Sequence, residues 1–281
     1  MLRQTLKMAF WVTYDHLGKL LVASFIWSLF VGPWLLIFLT TLMAADPAMI
    51  LVIGLPAWAI GLGIAAPLAM VGMAHMVKEF IDTKDGAIRT IFKGMRLYGK
   101  RAIAIGIAYV VAIICLMTNV WFYGYSEVFA ERAPWVGLLI SIVAVWILVF
   151  LGLMAMFVMP ALVQKRDGWF ATLKLTALLV LDNPLLALGL GVQLITISII
   201  CLLIPPVLVF LHGGLMAVIT GCAYEVLSRK YAAVEGQTGA GKAGSRHMET
   251  VGRGAAKSID PDAEDDYLNR GFRDFLFPWK E

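Results

Sequence analysis

Six apolar stretches, each about twenty residues or longer, alternate with short connections along most of the chain. No other feature constrains the fold as tightly. A bilayer core about 30 Å thick is crossed by about 20 apolar residues in a helix. By that measure the spans cover 19–44, 48–77, 101–124, 134–163, 185–204 and 206–228. From Pro184 to Val226 no charge appears before Glu225, a run too long for one crossing. Pro205-Pro206 removes two backbone donors and forbids a continuous helix, so the fifth and sixth spans read as a hairpin broken there. Composition agrees: 60% of the 281 residues are hydrophobic, 15% are charged and mean hydropathy is +0.83. A soluble domain could not cover so much apolar surface. The expected fold is all-α, a polytopic membrane helical bundle of six transmembrane helices with interfacial amphipathic helices.

The basic residues fix an orientation. Arg3, Lys7 and Lys19 precede or open the first span. Lys78, Lys84, Arg89, Lys93, Arg96, Lys100 and Arg101 follow the second, and Lys165, Arg166 and Lys174 follow the fourth. The alternate connections hold only Arg132, within "YGYSEVFAERAPW". Both termini are therefore expected in the cytoplasm, with the protein multi-pass in the membrane. Trp121, Phe122, Tyr123, Tyr125 and Trp135 would form part of an outer aromatic belt. The apolar run from Leu20 to Met43 is too long for the core of a signal peptide.

A pattern recurs on the basic side. Thr5-Leu6-Lys7 and Thr172-Leu173-Lys174 are each followed, after seven residues, by Asp15 and Asp182, and then by an apolar run. A looser copy, "RTIFKGMRLYGKRAIAI" at 89–105, carries Thr90 and Lys93. Each copy reads as a helix lying in the headgroups, with Lys or Arg toward lipid phosphate. Polar turns at Asp15-His16, Gly99-Lys100 and Asp182-Asn183-Pro184 would then redirect the chain, Asp and Asn capping the next helix. This is a threefold internal repeat or three interfacial helices of independent origin. In domain terms, 1–18 is an amino-terminal interfacial helix and 19–228 the membrane domain. Residues 229–261, rich in Gly, Ser and charge, form a flexible cytoplasmic linker. Residues 262–281 form an amphipathic aromatic segment with Leu268, Phe272, Phe275, Leu276 and Trp279 on one face. That face would dock on the protein's own cytoplasmic side, on the inner leaflet or on a protein partner.

Within the spans, ionisable and polar residues are the default functional candidates. His212, beside Gly213-Gly214, is a packed histidine or a substrate or proton site. Glu225 lies near the cytoplasmic edge, with Arg229 one turn on to pair with it. Gln193, with Asn119 and Thr196, completes the polar set a solute path could use. His75 and Glu79 share a helix face but make a surface hydrogen-bonded pair rather than a metal site. Small residues at helical spacing, Ala57, Gly61, Ala65 and Ala69 and then Gly213, Ala217 and Gly221, form ridges for close helix packing. Cys115, Cys201 and Cys222 all lie in apolar stretches and read as inert small hydrophobes.

Other chemistry finds no support. "GQTGAGKA" at 236–243 imitates a phosphate loop, but Ala243 stands where Mg²⁺ needs a hydroxyl, so nucleotide binding is rejected. No basic patch interleaved with aromatics suggests nucleic acid. No catalytic constellation is present, so the chain reads as no enzyme and needs no cofactor; a membrane enzyme acting on lipid is a weaker reading.

Three stretches resemble the YesL-like family of bacterial membrane proteins. Ser24, Trp27 and Pro33 follow the spacing of an Asn…Trp…Pro pattern, with Ser24 in the Asn place. "AAPLAMVGMAHM" (65–76) followed by "IFKGMRLYGKRA" (91–102) is similar to the family's Pro-containing span and Phe-rich basic helix. Met95 stands for a Phe there, and Tyr98-Gly99 for Asn-Phe. "MFVMPALVQKRDGWFATLKLTALLVLDNP" (156–184) is similar to its Pro-containing span, polar turn and second helix. The resemblance covers about residues 20–228, with extra residues between Pro33 and Pro67. It implies an accessory role linked to carbohydrate uptake or utilisation, while the lack of deep intramembrane charge, the basic cytoplasmic face and the amphipathic tail point to an accessory or scaffold protein. The alternative is a small-solute transporter or channel.

Overall fold

The computed structural model describes residues 1–125, 134–164, 168–242 and 267. Among these, every element is helical. Helix α1 spans Leu2–Asp15, α2 Leu17–Ala44, α3 Pro47–Thr83 and α4 Arg89–Tyr125. Helix α5 spans Pro134–Gln164, α6 Trp169–Asp182 and α7 Pro184–Leu203; α8 covers 205–242. Helices α2, α3, α4, α5, α7 and α8 are each long and apolar enough to cross a membrane. Their outward faces are apolar, with Leu29, Leu36, Leu51, Val111, Trp146 and Ile195 among the exposed side chains. That surface suits lipid as solvent.

The helices start and stop for local reasons. Asp46 Oδ1 accepts from the Ala48 amide at 2.9 Å and Pro47 occupies the first turn of α3, so a new helix begins after only two intervening residues. Ile204 is extended and Pro205 restarts the helix, which separates α7 from α8. Helix α3 contains two π segments, Ile50–Gly54 and Gly61–Ala65. Each ends two residues before a proline, Pro56 or Pro67. A proline ring clashes with the carbonyl four residues back, and a widened turn moves that carbonyl aside. A third π segment, Leu208–His212, sits in α8 before Gly213.

Helix α8 is the centre of the bundle. Its apolar window is 56% buried, against 17–28% for the other five spans, and it packs on α1, α2, α3 and α5. Helices α3 and α4 form the most extensive pair, and α5 packs across both. Lys19 meets Asp85, Gln164 meets Glu225 and Asp182 meets Lys230, so these ends of α2, α3, α5, α6 and α8 lie together. We call this the basic end.

Two copies of the recurring pattern have the same local geometry. Helices α1 and α6 are each 14 residues long and each ends at an Asp. A single hinge residue follows: His16 with φ −118° and ψ 21°, or Asn183 with φ −130° and ψ 59°. Thr5 and Thr172 are both buried. The third copy differs. No turn occurs at Gly99-Lys100, because α4 runs unbroken from Arg89 to Tyr125. Gly99 serves packing instead: a Cβ there would lie 2.9 Å from Leu68 Cδ1 on α3. Side-chain capping of the next helix is also not how the hinges work. Neither His16 nor Asn183 makes a side-chain cap bond.

A second correction concerns the linker. Helix α8 continues to Lys242, past residue 229 where the sequence suggested flexible chain. Lys230 and Tyr231 bond Asn183 and Asp182 at the α6–α7 hinge, which holds this end of α8 against the bundle. Residues 243–261 lie outside the described residues, as do Leu268, Phe272, Phe275, Leu276 and Trp279.

Candidate functional site

The basic end carries three polar assemblies. In the first, the His16 ring stacks on Phe80, with centroids 4.1 Å apart. Lys19 reaches over Phe80 to bond Asp85 at 2.7 Å. Burial holds the His16 imidazole below its ordinary pKa, and the nearby Lys19 charge acts the same way. Lys19 in turn holds the Asp85 carboxyl below the usual carboxylate range. In the second, Glu225 divides its two oxygens between partners. Arg229 Nε donates to Oε1 at 3.1 Å and Gln164 Nε2 to Oε2 at 3.0 Å. In the third, the Asn183 hinge is tied to α8: its amide donates to Tyr231 Oη at 2.8 Å and its carbonyl oxygen accepts from Lys230 at 2.8 Å. Tyr231 Oη donates to Asp182.

Tyr267 belongs to this end as well. It is 3% exposed, joins the main hydrophobic cluster and stands under the Lys84 ammonium, 6.0 Å from ring centroid to Nζ. Sequence periodicity had pointed to its neighbour Leu268 and not to Tyr267.

The polar residues singled out within the spans do not converge. His212 Nε2 lies 3.2 Å from Ser198 Oγ on α7. Ser198 gives its own hydrogen to the Leu194 carbonyl at 2.8 Å, so it accepts from His212, whose Nδ1 becomes the acceptor nitrogen. Gln193 is half-buried on the same helix, well over a turn before Ser198. Asn119 and Thr196 are exposed and donate to carbonyls of their own helices, those of Cys115 and Val192. Glu225 belongs to the basic end, its side chain 14% exposed. The expected surface pair of His75 and Glu79 is also replaced: Glu79 accepts from Thr90 at 2.5 Å, and His75 packs edge-on to Tyr98. The hydroxyl of Thr90 is the nearer donor because α4 crosses α3 there.

The small residues do sit at helix contacts. Ala57, Ala65, Ala69 and Ala217 are buried; Gly61 faces Trp34, Gly213 faces Trp27 and Gly221 faces Val77. Closer approaches escaped the sequence. A Cβ on Gly106 would fall 2.3 Å from the Gly63 carbonyl oxygen, and one on Gly94 would fall 2.7 Å from His75 Cβ. The α2–α8 contact is hydrogen-bonded. Buried Ser24 Oγ accepts from the Gly214 amide at 2.8 Å, and Ser28 Oγ donates to the Val209 carbonyl at 2.8 Å. The π segment in α8 displaces these backbone groups from the regular ladder, and the two serines, one turn apart on α2, meet them.

Between α2, α3, α4, α5, α7 and α8 lies a cavity of about 370 Å³. Its wall includes Trp27, Pro67, Tyr109, Met159, Pro160 and Met216. No Asp, Glu, Lys, Arg or His is among its lining residues.

Fold and surface together define a multi-pass integral membrane protein with six membrane-crossing helices. No family model, no curated protein and no solved structure matches the chain. The resemblance to YesL-like proteins therefore rests on the quoted stretches alone.

Proposed function

We propose that the chain is a non-catalytic accessory or scaffold protein of a bacterial inner membrane, with both termini in the cytoplasm. The observation that carries this reading is Tyr267. This residue lies beyond the end of the last span at Ala232, yet its ring is buried at the basic end beside Lys84. Tyr267 held at that face supports a role for this end of the bundle in holding a protein partner. The basic residues support the orientation. The YesL-like resemblance supports a link to carbohydrate uptake or utilisation. A transporter reading has less support, because Asn119, Gln193, Thr196 and His212 form no shared polar path.

The test compares the full chain with a chain ending at residue 261, each purified from the native host in mild detergent. Specific co-purifying proteins should be present with the full chain and lost with the shorter one. The tail reading fails if every such protein is retained. Cysteines introduced at positions 85 and 129 should react with an impermeant thiol reagent from opposite compartments. Saturable sugar uptake by proteoliposomes of the pure protein would instead favour transport.

A further inference from the structure

The cavity lies at mid-depth. Trp27 is ten residues into α2 and Leu194 ten residues into α7, both counted from the basic end. At 1.5 Å per residue that is about 15 Å, the middle of a hydrocarbon core about 30 Å thick. Helix association in lipid depends on close packing, and the same helices approach tightly at Gly63–Gly106. A space of about 370 Å³ beside that contact is within the range of pockets that hold small organic molecules.

The wall states what kind of molecule fits. It is almost wholly apolar, and Met70, Met156, Met159 and Met216 give it an adaptable surface. With no ionisable side chain to pair with, a charged group would enter at a prohibitive desolvation penalty. Two lining side chains nonetheless carry unmet hydrogen-bonding atoms. Trp27 Nε1 and Tyr109 Oη are buried and have no hydrogen-bond partner among the described residues. Thr220, also in the wall, is satisfied by the Met216 carbonyl at 2.8 Å. An indole N–H can only donate, and a phenol donates readily. Buried donors of this kind are normally paired, and an acceptor brought into the cavity would pair them.

We propose that this cavity binds one neutral, predominantly apolar molecule whose acceptor oxygen takes a hydrogen bond from the Trp27 indole or the Tyr109 phenol. At mid-depth that oxygen belongs to a free lipophile, because lipid ester carbonyls stay at the edge of the hydrocarbon core, about 15 Å away. The site is independent of the scaffold reading above.

The full chain is placed in nanodiscs of diether lipid, which has no ester carbonyl, and in matched diester discs. The probe is 2-dodecanone carrying a diazirine and an alkyne, with labelled peptides mapped after illumination. Saturable labelling of the α3, α4 and α5 cavity segments is expected. Unlabelled 2-dodecanone should compete about tenfold better than dodecane, and laurate should not compete. Tyr109→Phe and Trp27→Phe, which keep the wall apolar, should each lower ketone affinity about three- to tenfold, the worth of one hydrogen bond, and leave dodecane unchanged. Equal ketone competition in the two kinds of disc is expected, and weaker competition in diester discs would place the site at the interface and overturn its mid-depth assignment. Non-saturable labelling, or dodecane competing as well as the ketone, overturns it. Ala66→Leu, which fills the cavity, should abolish labelling. The two aromatic variants decide the matter if that chain does not fold.

Discussion

The imidazole of His16 lies flat on the ring of Phe80, 4.1 Å between centroids and 12° between planes. This contact joins the α1–α2 hinge to the last turns of α3. His16 is 8% exposed, and its Nε2 is buried with no hydrogen-bond partner among the described residues. Burial, reinforced by Lys19, therefore favours the neutral ring, while Asp15 and Asp85 oppose this more weakly. A histidine whose folded pKa is depressed binds fewer protons folded than unfolded as pH falls below about 6.5. Stability should then decline from that point until the folded pKa is passed. Thermal unfolding in detergent should show a larger loss between pH 7.5 and 5.5 for the natural chain than for His16→Phe, which keeps the stack without the titration. Equal losses would remove His16 from the account.

Ser24 supplies the second prediction. Ser24→Ala would leave the Gly214 amide buried without its 2.8 Å acceptor, in a segment where the π turn already disrupts the ladder. The expected loss is about 1–2 kcal/mol, the usual penalty for an unmet buried donor. Thr196→Ala is the control, since Thr196 is exposed and bonds only its own helix. It should change stability by less than about 0.5 kcal/mol. Denaturation in mixed micelles measures both, and similar effects would show that Ser24 has no special role.

These examples show what local sequence conveys. The six spans were legible because length and hydropathy need no knowledge of partners, and the break before Pro205 because proline acts on its own helix. The 225/229 spacing was legible for the same reason. The unbroken path of α4 through Gly99 was not, because that glycine answers to Leu68 on another helix. Likewise, Trp27 and Tyr109 become neighbours of one cavity only when six helices are assembled. Ser24 offered a signal in retrospect: a hydroxyl in an apolar span must bond something, and two serines one turn apart suggest a partner helix with exposed backbone groups.

Glu225 tests the basic end. Its two oxygens hold Arg229 within α8 and Gln164 across to α5. Glu225→Ala should therefore destabilise by about 1–3 kcal/mol, because it removes an acceptor shared by a partly buried guanidinium and an amide. Gln164→Ala should lower stability less, since Arg229 remains paired. A double-mutant cycle between positions 164 and 225 should give a coupling of at least about 0.5 kcal/mol. Additive losses would mean that the two side chains stabilise independently.

The strongest steric prediction concerns Gly106. A Cβ there would sit 2.3 Å from the Gly63 carbonyl oxygen and 2.5 Å from Pro67 Cγ. Neither neighbour can yield easily. The first is backbone within a π segment, and the second is a ring whose position is fixed by its own helix. Gly106→Ala must therefore push α4 away from α3 along their whole contact, at a cost of about 1–3 kcal/mol. Gly32→Ala on α2 is the matched control, because nothing lies within 4 Å of its added Cβ and alanine is the better helix former. It should be neutral or stabilising by up to about 1 kcal/mol. Unfolding midpoints of the two variants, measured side by side, should move in opposite directions or differ by several degrees. If Gly106→Ala matches the natural chain, the α3–α4 approach described above is wrong.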